Sequence, residues 1–398
     1  MRLRIGYDDS MKLKQQPDDF QVEERPTVQP GTSGAFAFYR LEKRGWTTPD
    51  ALAAIRRRWK IDLRRMSFGG LKDRHAHTIQ YFTIHDGPRK AHDQGTFSIA
   101  YLGRLAEPYS SQHVRANGFT VRLRSLTEPQ VAHSARAIAE VSEVGVPNYF
   151  DDQRFGSVGD GSSFIAREMV LGNFERALQL ALTAPYEHDL AEAKHEKAIL
   201  LSKWGDWPAC RAELRTGHAS GIVDYLVYRP TDFRGACARL QPELQGLYLS
   251  AWQSHLWNRM LGRWLTACVA TDQLMHIRLK TDDIVMPRLM PTALRPDWDA
   301  LTLPFPSARL KFDATAPWAS VVEAVMAEEG IPLEQMRIKG MHKPFFSKGE
   351  RAGKVTVSNL SWADASDDLN PGRRTLELRF ELPRGCYATM LVKRVTSN

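Results

Sequence analysis

Residues 68–75 read Phe-Gly-Gly-Leu-Lys-Asp-Arg-His: a glycine pair, then Asp73 set between two cations, Lys72 and Arg74. Flanking positive charge favours an ionised carboxylate, and glycines let a substrate approach the main chain closely. Such a carboxylate suits a nucleophile or a general base. The same residues would also make a plain surface loop of local ion pairs. A second run, residues 145–156 (GVPNYFDDQRFG), gathers Asn148, Tyr149, Phe150, Gln153, Arg154 and Phe155. An aromatic platform with amide and guanidinium groups suits a splayed-out base, which needs stacking and edge hydrogen bonds. A core-packing turn is the competing reading.

The elements around these runs follow from pattern. Residues 36–41 (FAFYRL) are aromatic-rich, as a strand should be. Thr48 followed by Pro49 predicts a helix start, with Thr48 as N-cap and Pro49 as the first helical residue. That helix runs to about Lys60, with Leu52, Ile55 and Trp59 on its core face. Arg56, Arg57, Arg58 and Lys60 lie near its C-terminal end, where cations complement the helix dipole. Together with Arg64 and Arg65 they also make a candidate phosphate-facing patch. Strands are expected at 79–84, 97–102 and 118–123, and a helix over 128–145 with Val131, Ala135, Ile138 and Val141 inward.

After about residue 157 the pattern becomes helical through residue 269, ending in a long apolar helix over 244–269 with three tryptophans. Residues 270–318 are proline-punctuated and read as irregular, and 320–329 as a short helix. Strand signals return at 354–360 and 375–382, where Leu376, Leu378, Phe380 and Leu382 share one face; Asn370-Pro371-Gly372 marks the turn before it. The order is strand-rich, helical, strand-rich, as expected for a helical domain inserted into an α/β domain. No repeat or low-complexity segment is present.

The chain has 398 residues, 43% hydrophobic and 25% charged, an ordinary globular composition for two or three domains. Lys and Arg number 54 against 46 Asp and Glu, a net charge of +8. That excess fits a polyanionic partner such as nucleic acid, and fits simple solubility as well. Cys210, Cys237, Cys268 and Cys386 form no CxxC pair and read as core thiols. No signal peptide or transmembrane run is visible, and a reducing cytoplasm fits the cysteine usage. HExxH, the P-loop and GxSxG are missing. Residues 156–161 (GSVGDG) do not match GxGxxG and read as a loop at a domain junction. His75 and His77 would share a face on a strand but have no nearby third metal ligand, so a loop or substrate-facing role is expected. Trp252 and Trp257, on one helix, read as packing residues.

These segments together resemble the TruD family of tRNA pseudouridine synthases. Residues 69–80 (GGLKDRHAHTIQ) are similar to its catalytic motif and 145–156 to its NYF…QRFG signature. Residues 19–24 (DFQVEE), preceded by Lys14 and Pro17, resemble its N-terminal motif. Residues 249–258 (LSAWQSHLWN) and 382–389 (LPRGCYAT) resemble two more, so the likeness runs from about residue 14 to about 394. It departs at Gly34-Ala35, where bacterial relatives tend to carry an acidic-His pair, and at Asp151, where Gly is common. Both departures bear on substrate preference.

The resemblance implies an α+β fold: a pseudouridine-synthase catalytic domain with a mixed, mainly antiparallel sheet (residues 1–157 and 341–398), interrupted by a mostly helical insertion domain (158–340). It implies isomerisation of a tRNA uridine, typically position 13 in the D arm, with no cofactor or metal and no membrane or obligate protein partner; a monomer is the simplest assembly. By motif match Asp73 is the essential carboxylate, attacking the ribose or taking a proton from it. Phe150 would stack on the flipped uracil, Asn148 would orient Asp73 or the base, Lys14 would hold Asp73 ionised, and Tyr387 would line the pocket. Lys72, Arg74 and Arg154 would contact phosphate. The alternatives are an RNA-binding or RNA-chaperone protein of the same fold without catalysis, and a metal-dependent RNA hydrolase. The hydrolase would need more clustered carboxylates than Asp151-Asp152.

Overall fold

A computed structural model of the chain describes residues 11–158, 163–186, 189–341 and 344–397. The chain divides into two compact units, Met1–Val146 with Val355–Asn398, and Pro147–Lys354.

The first unit is built on a ten-stranded sheet. Its strands are β1 (Lys12–Leu13), β2 (Phe20–Pro26), β3 (Phe36–Arg44), β4 (Met66–Phe68), β5 (His77–His85), β6 (His92–Asp93), β7 (Phe97–Leu105), β8 (Val114–Leu126), β9 (Ser358–Ser366) and β10 (Arg374–Pro383). The order is β9-β10-β8-β2-β5-β3-β7-β6, with β1 beside β8 and β4 beside β5. Among the described residues only β2 and β5 run parallel, so the sheet is mixed and mainly antiparallel. The α+β class holds.

Directly paired residues share a face of a sheet. One face therefore carries Phe20, Val22 and Glu24 of β2, Val121, Phe119 and Asn117 of β8, Leu378, Phe380 and Leu382 of β10, and Tyr39, Leu41 and Lys43 of β3. Helix α1 (Thr48–Trp59) lays Ala51, Leu52 and Ile55 over the β3–β5 side of this face, against Tyr39, Leu41, Phe82 and Ile84. Helix α2 (Glu128–Val144) packs against β10 and against the C-terminal helix α3 (Ala388–Thr396). The Asp73 loop crosses the middle of this face, where its side chains reach β2 and β8.

Most elements follow the periodicity, with three differences. The N-cap of α1 is Thr47, whose hydroxyl accepts from the Asp50 amide, and not Thr48. Thr48 is buried and its hydroxyl instead accepts from the Lys72 amide and donates to Gln80. The strand expected over 354–360 is split between a short strand, Lys354–Val355, and the edge strand β9, Ser358–Ser366, whose largely exposed residues give no alternating signal.

The second unit is mostly helical. Its long helix, Pro242–Cys268, buries Trp252, Trp257 and Trp264, and Trp264 stacks on Trp298 at 5.7 Å. Residues 270–318 are more regular than their prolines suggest: Leu274–Arg278 and Asp283–Pro287 form a hairpin, and Thr302–Pro304 pairs with Glu350–Ala352. The loop expected at 156–161 lies partly outside the described residues. No helix among the described residues is long and apolar enough to cross a membrane.

Candidate active site

Asp73 is 38% exposed, and its carboxylate accepts a 2.7 Å hydrogen bond from Lys14 Nζ, itself only 10% exposed. The ammonium also sits 4.1 Å from the centre of the Phe20 ring. Lys14 has a φ of 57°, a strained region for a lysine that persists only where the surroundings enforce it. The enforcement is visible. β1 pairs with β8 just before Lys14. Asp19 accepts from the Gln16 amide and from buried Arg124, which also bonds Asp367 and Asp368. This clasp ties the Lys14 segment to β8 and to the β9–β10 turn. The guanidinium holds the Asp368 carboxyl below its ordinary range, while main-chain and Asn370 hydrogen bonds with Arg124 hold Asp367 down against burial.

The loop carrying Asp73 is clamped from several sides. Lys72 Nζ lies 3.1 Å from Glu24 and donates to Asn117 at 2.8 Å. The structure thus turns Lys72, 13% exposed, inward and away from the phosphate-facing position that the sequence suggests. Gln80 reaches the Gly70 carbonyl at 3.4 Å. A Cβ on Gly69 would lie 2.8 Å from Val114 and 3.0 Å from Tyr109, whereas one on Gly70 would meet open space. Only Gly69 is therefore demanded by close packing. Arg74 is exposed and bonds the Gly45 carbonyl. His77 stands on β5 between Glu42 and Asp18. Tyr387 is half-buried at the N-terminal end of α3 in this same unit.

Beneath Asp73 lies a cation that sequence reading missed. Lys43 is fully buried on β3, and its Nζ donates to the main-chain carbonyls of Trp46 at 2.7 Å and Asp73 at 3.2 Å. Burial pushes its pKa down to about 8, against the opposing pull of Asp73. Its signal was a lysine continuing the inward alternation Ala37, Tyr39, Leu41.

Asn148, Phe150 and Arg154 belong to the second unit. The Asn148 amide is engaged at both ends: Oδ1 accepts from Arg351 at 2.5 Å and Nδ2 donates to the Ala352 carbonyl at 3.0 Å. Asn258 of the long helix grips both main-chain groups of Phe150. The Phe150 ring is 6% exposed, with the Arg351 guanidinium 4.1 Å from its centre, Arg154 at 5.4 Å and Trp257 edge-on at 5.7 Å. Arg154 also bonds Ser254. Arg351 lies about two hundred residues from Asn148 along the chain, and no local motif marks it. Cys210 and Cys237 are buried, and burial pushes the Cys237 thiol up to about 12, far from a reactive thiolate.

The family model for tRNA pseudouridine synthase D (TruD) matches residues 8–395. Among curated relatives, "Probable tRNA pseudouridine synthase D 1" of Methanococcus maripaludis is 28% identical over 97% of this chain and 99% of its own length. The "tRNA pseudouridine synthase D" of Aquifex aeolicus is 26% identical over 97% of this chain and 98% of its own. A crystal structure of the TruD protein of Methanosarcina mazei shares the fold, with a TM-score of 0.74 at 24% identity, over 97% of this chain and 93% of that one. All of these fall in one class, the pseudouridine synthases. The chain belongs to the TruD family of tRNA pseudouridine synthases.

Proposed function

We propose that this protein isomerises a uridine of tRNA to pseudouridine with Asp73 as its essential carboxylate and without a cofactor. Family membership supports the reaction, and the 2.7 Å Lys14–Asp73 pair on a clamped, solvent-reached loop carries the assignment of the residue. In the reaction the N1–C1′ bond breaks, the freed uracil turns within the pocket, C5 bonds to C1′ and gives up its proton, and N1 takes up one in its place. Asp73 attacks the ribose or removes a proton from it; Lys14 aims the carboxylate through its 2.7 Å hydrogen bond. Phe150 supplies the stacking surface for the base, sharing its ring with Arg351 or displacing it. Such stacking contributes about 1–3 kcal/mol, offsetting part of the few kcal/mol that flipping costs. Asn148 acts on the base through the loop it fixes, and Tyr387 lines the pocket. Arg74, Arg154 and the arginines of α1 meet phosphate, while Lys72 serves the loop. By resemblance the target is uridine 13 of the D arm, the enzyme works as a monomer in the cytoplasm, and residues 158–340 form the helical insertion domain.

The test is tritium release from tRNA labelled at uridine C5, in chelator, by the parent and by Asp73→Ala. Release by the parent alone supports the proposal. Tight tRNA binding with no release from either, across a mixed tRNA pool, would hand the case to the non-catalytic RNA-binding reading.

A further inference from the structure

The proposed reaction leaves Lys43, beneath Asp73, without a part. It is wholly removed from solvent, and both of its hydrogen-bond acceptors are main-chain carbonyls; among the described residues no side-chain carboxylate pairs with it. A buried ammonium is expensive to keep charged without such a pair. A leucine or methionine would continue the inward row of Tyr39 and Leu41 on β3 and spare that cost. The two carbonyls it joins belong to the turn before α1 and to the carboxylate-bearing residue itself.

We propose that Lys43 is a positioning residue for the pseudouridine reaction: its charged ammonium holds the Asp73 main chain against the β3–α1 turn and so sets where the Asp73 carboxylate stands. Lys14 holds the side chain and Lys43 the backbone, from opposite ends of one residue. Hydrogen bonds from an ionised donor are roughly twice as strong as neutral ones, so the hold weakens when Lys43 loses its proton. The charged groups facing it are Asp73, which favours the ammonium, and Lys72, which opposes it. With burial already drawing the proton affinity down to about 8, the change falls within a range an enzyme assay can cover.

This inference rests on the synthase reading, and one assay separates the two. Tritium release is followed from pH 6.5 to 9.5 for the parent, Lys43→Met and Lys43→Arg, with kcat and KM for tRNA resolved at each pH and folding checked by circular dichroism. The parent's kcat should fall above about pH 8 with KM unmoved. Lys43→Met should lower kcat roughly tenfold to a hundredfold at neutral pH, as for a small misplacement of the reacting group, and show no limb near pH 8. Lys43→Arg, which does not titrate, should lose the same limb while keeping more activity. Parental kcat in a folded Lys43→Met variant, or a limb that persists in either variant, overturns the inference while leaving the synthase reading intact. Should Lys43→Met fail to fold, the limb of Lys43→Arg decides. An inactive parent overturns both.

Discussion

Glu24 and Lys72 form a pair in the gap where two strands part. β2 and β5 pair only from Gln21 to Glu23, and beyond that point the Glu24 carboxylate takes over, accepting from the Tyr81 amide at 3.1 Å and lying 3.4 Å from the Tyr109 hydroxyl. Lys72 approaches it at 3.1 Å. A side chain thus completes the sheet and anchors the residue before Asp73. Removing one partner of a buried ion pair leaves an uncompensated charge, at a cost of about 3–5 kcal/mol. Glu24→Ala should show that loss in urea denaturation, and Glu24→Ala with Lys72→Met together should lose less than the sum of the two single changes.

The two loop glycines should separate cleanly. Gly69→Ala places a methyl group against Val114 and Tyr109 and should destabilise by about 1–3 kcal/mol. Gly70→Ala meets nothing and should stay within about 0.5 kcal/mol of the parent. Thermal unfolding of both variants checks this, and equal losses would refute the packing argument.

In the second unit, Arg351 combines a cation–π contact with Phe150 and hydrogen bonds to Asn148. Arg351→Ala should cost about 2–4 kcal/mol from the two contributions. Arg351→Lys should recover little of it, since an ammonium cannot reproduce the planar fork. Denaturation midpoints of the two variants measure the difference.

The arginines near the end of α1 are not equivalent. Arg64 pairs with Asp62, and Arg65 bonds the carbonyls of His85 and Asp86. Arg56, Arg57 and Arg58 are exposed on the helix. Neutralising these three should weaken tRNA binding and flatten its salt dependence, by about 0.7–0.9 in log–log slope per lost phosphate contact. Neutralising Arg64 should change the slope little. Binding titrations at several salt concentrations test both.

Lys43 gives stability and activity opposite responses to pH. Its folded-state pKa of about 8 lies below the ordinary lysine value of 10.5. Between those values the unfolded chain binds more protons than the folded one, so stability rises with pH through this window. Below pH 8 both states are charged and the burial penalty is felt in full. Alkaline solution should therefore strengthen the fold, by an amount on the order of a few kcal/mol, while the reaction slows. Lys43→Met should abolish that rise in chemical denaturation between pH 8 and 10.5.

The parts of the protein visible in its sequence are those whose physics is local. Leu376, Leu378, Phe380 and Leu382 announce a half-covered strand because alternation is a nearest-neighbour property, and all four are buried. Asp73 stood out because its two cations adjoin it. What adjacency could not show is where a cation goes: Lys72 turns inward to Glu24, forty-eight positions back, and Lys14 arrives at Asp73 from fifty-nine away. Thr48 stands before a proline as a helix cap does, yet Thr47 caps, and Thr48 is taken by the Lys72 amide. β9 shows no period in the sequence because it is an edge strand with both faces wet.

The strand order also sets a timetable. β10 lies between β9 and β8, so residues 374–383 complete the pairing of residues 114–126 only after more than two hundred intervening residues have been made. During synthesis the second unit can gather its own core first, since domains fold as units in the order they emerge. Meanwhile β8 presents an unpaired edge that invites mispairing until its partner appears. Nascent chains halted before residue 374 should therefore hold a protease-resistant second unit and stay sensitive within the sheet, and β9 and β10 are the strands that make the Asp73 platform whole.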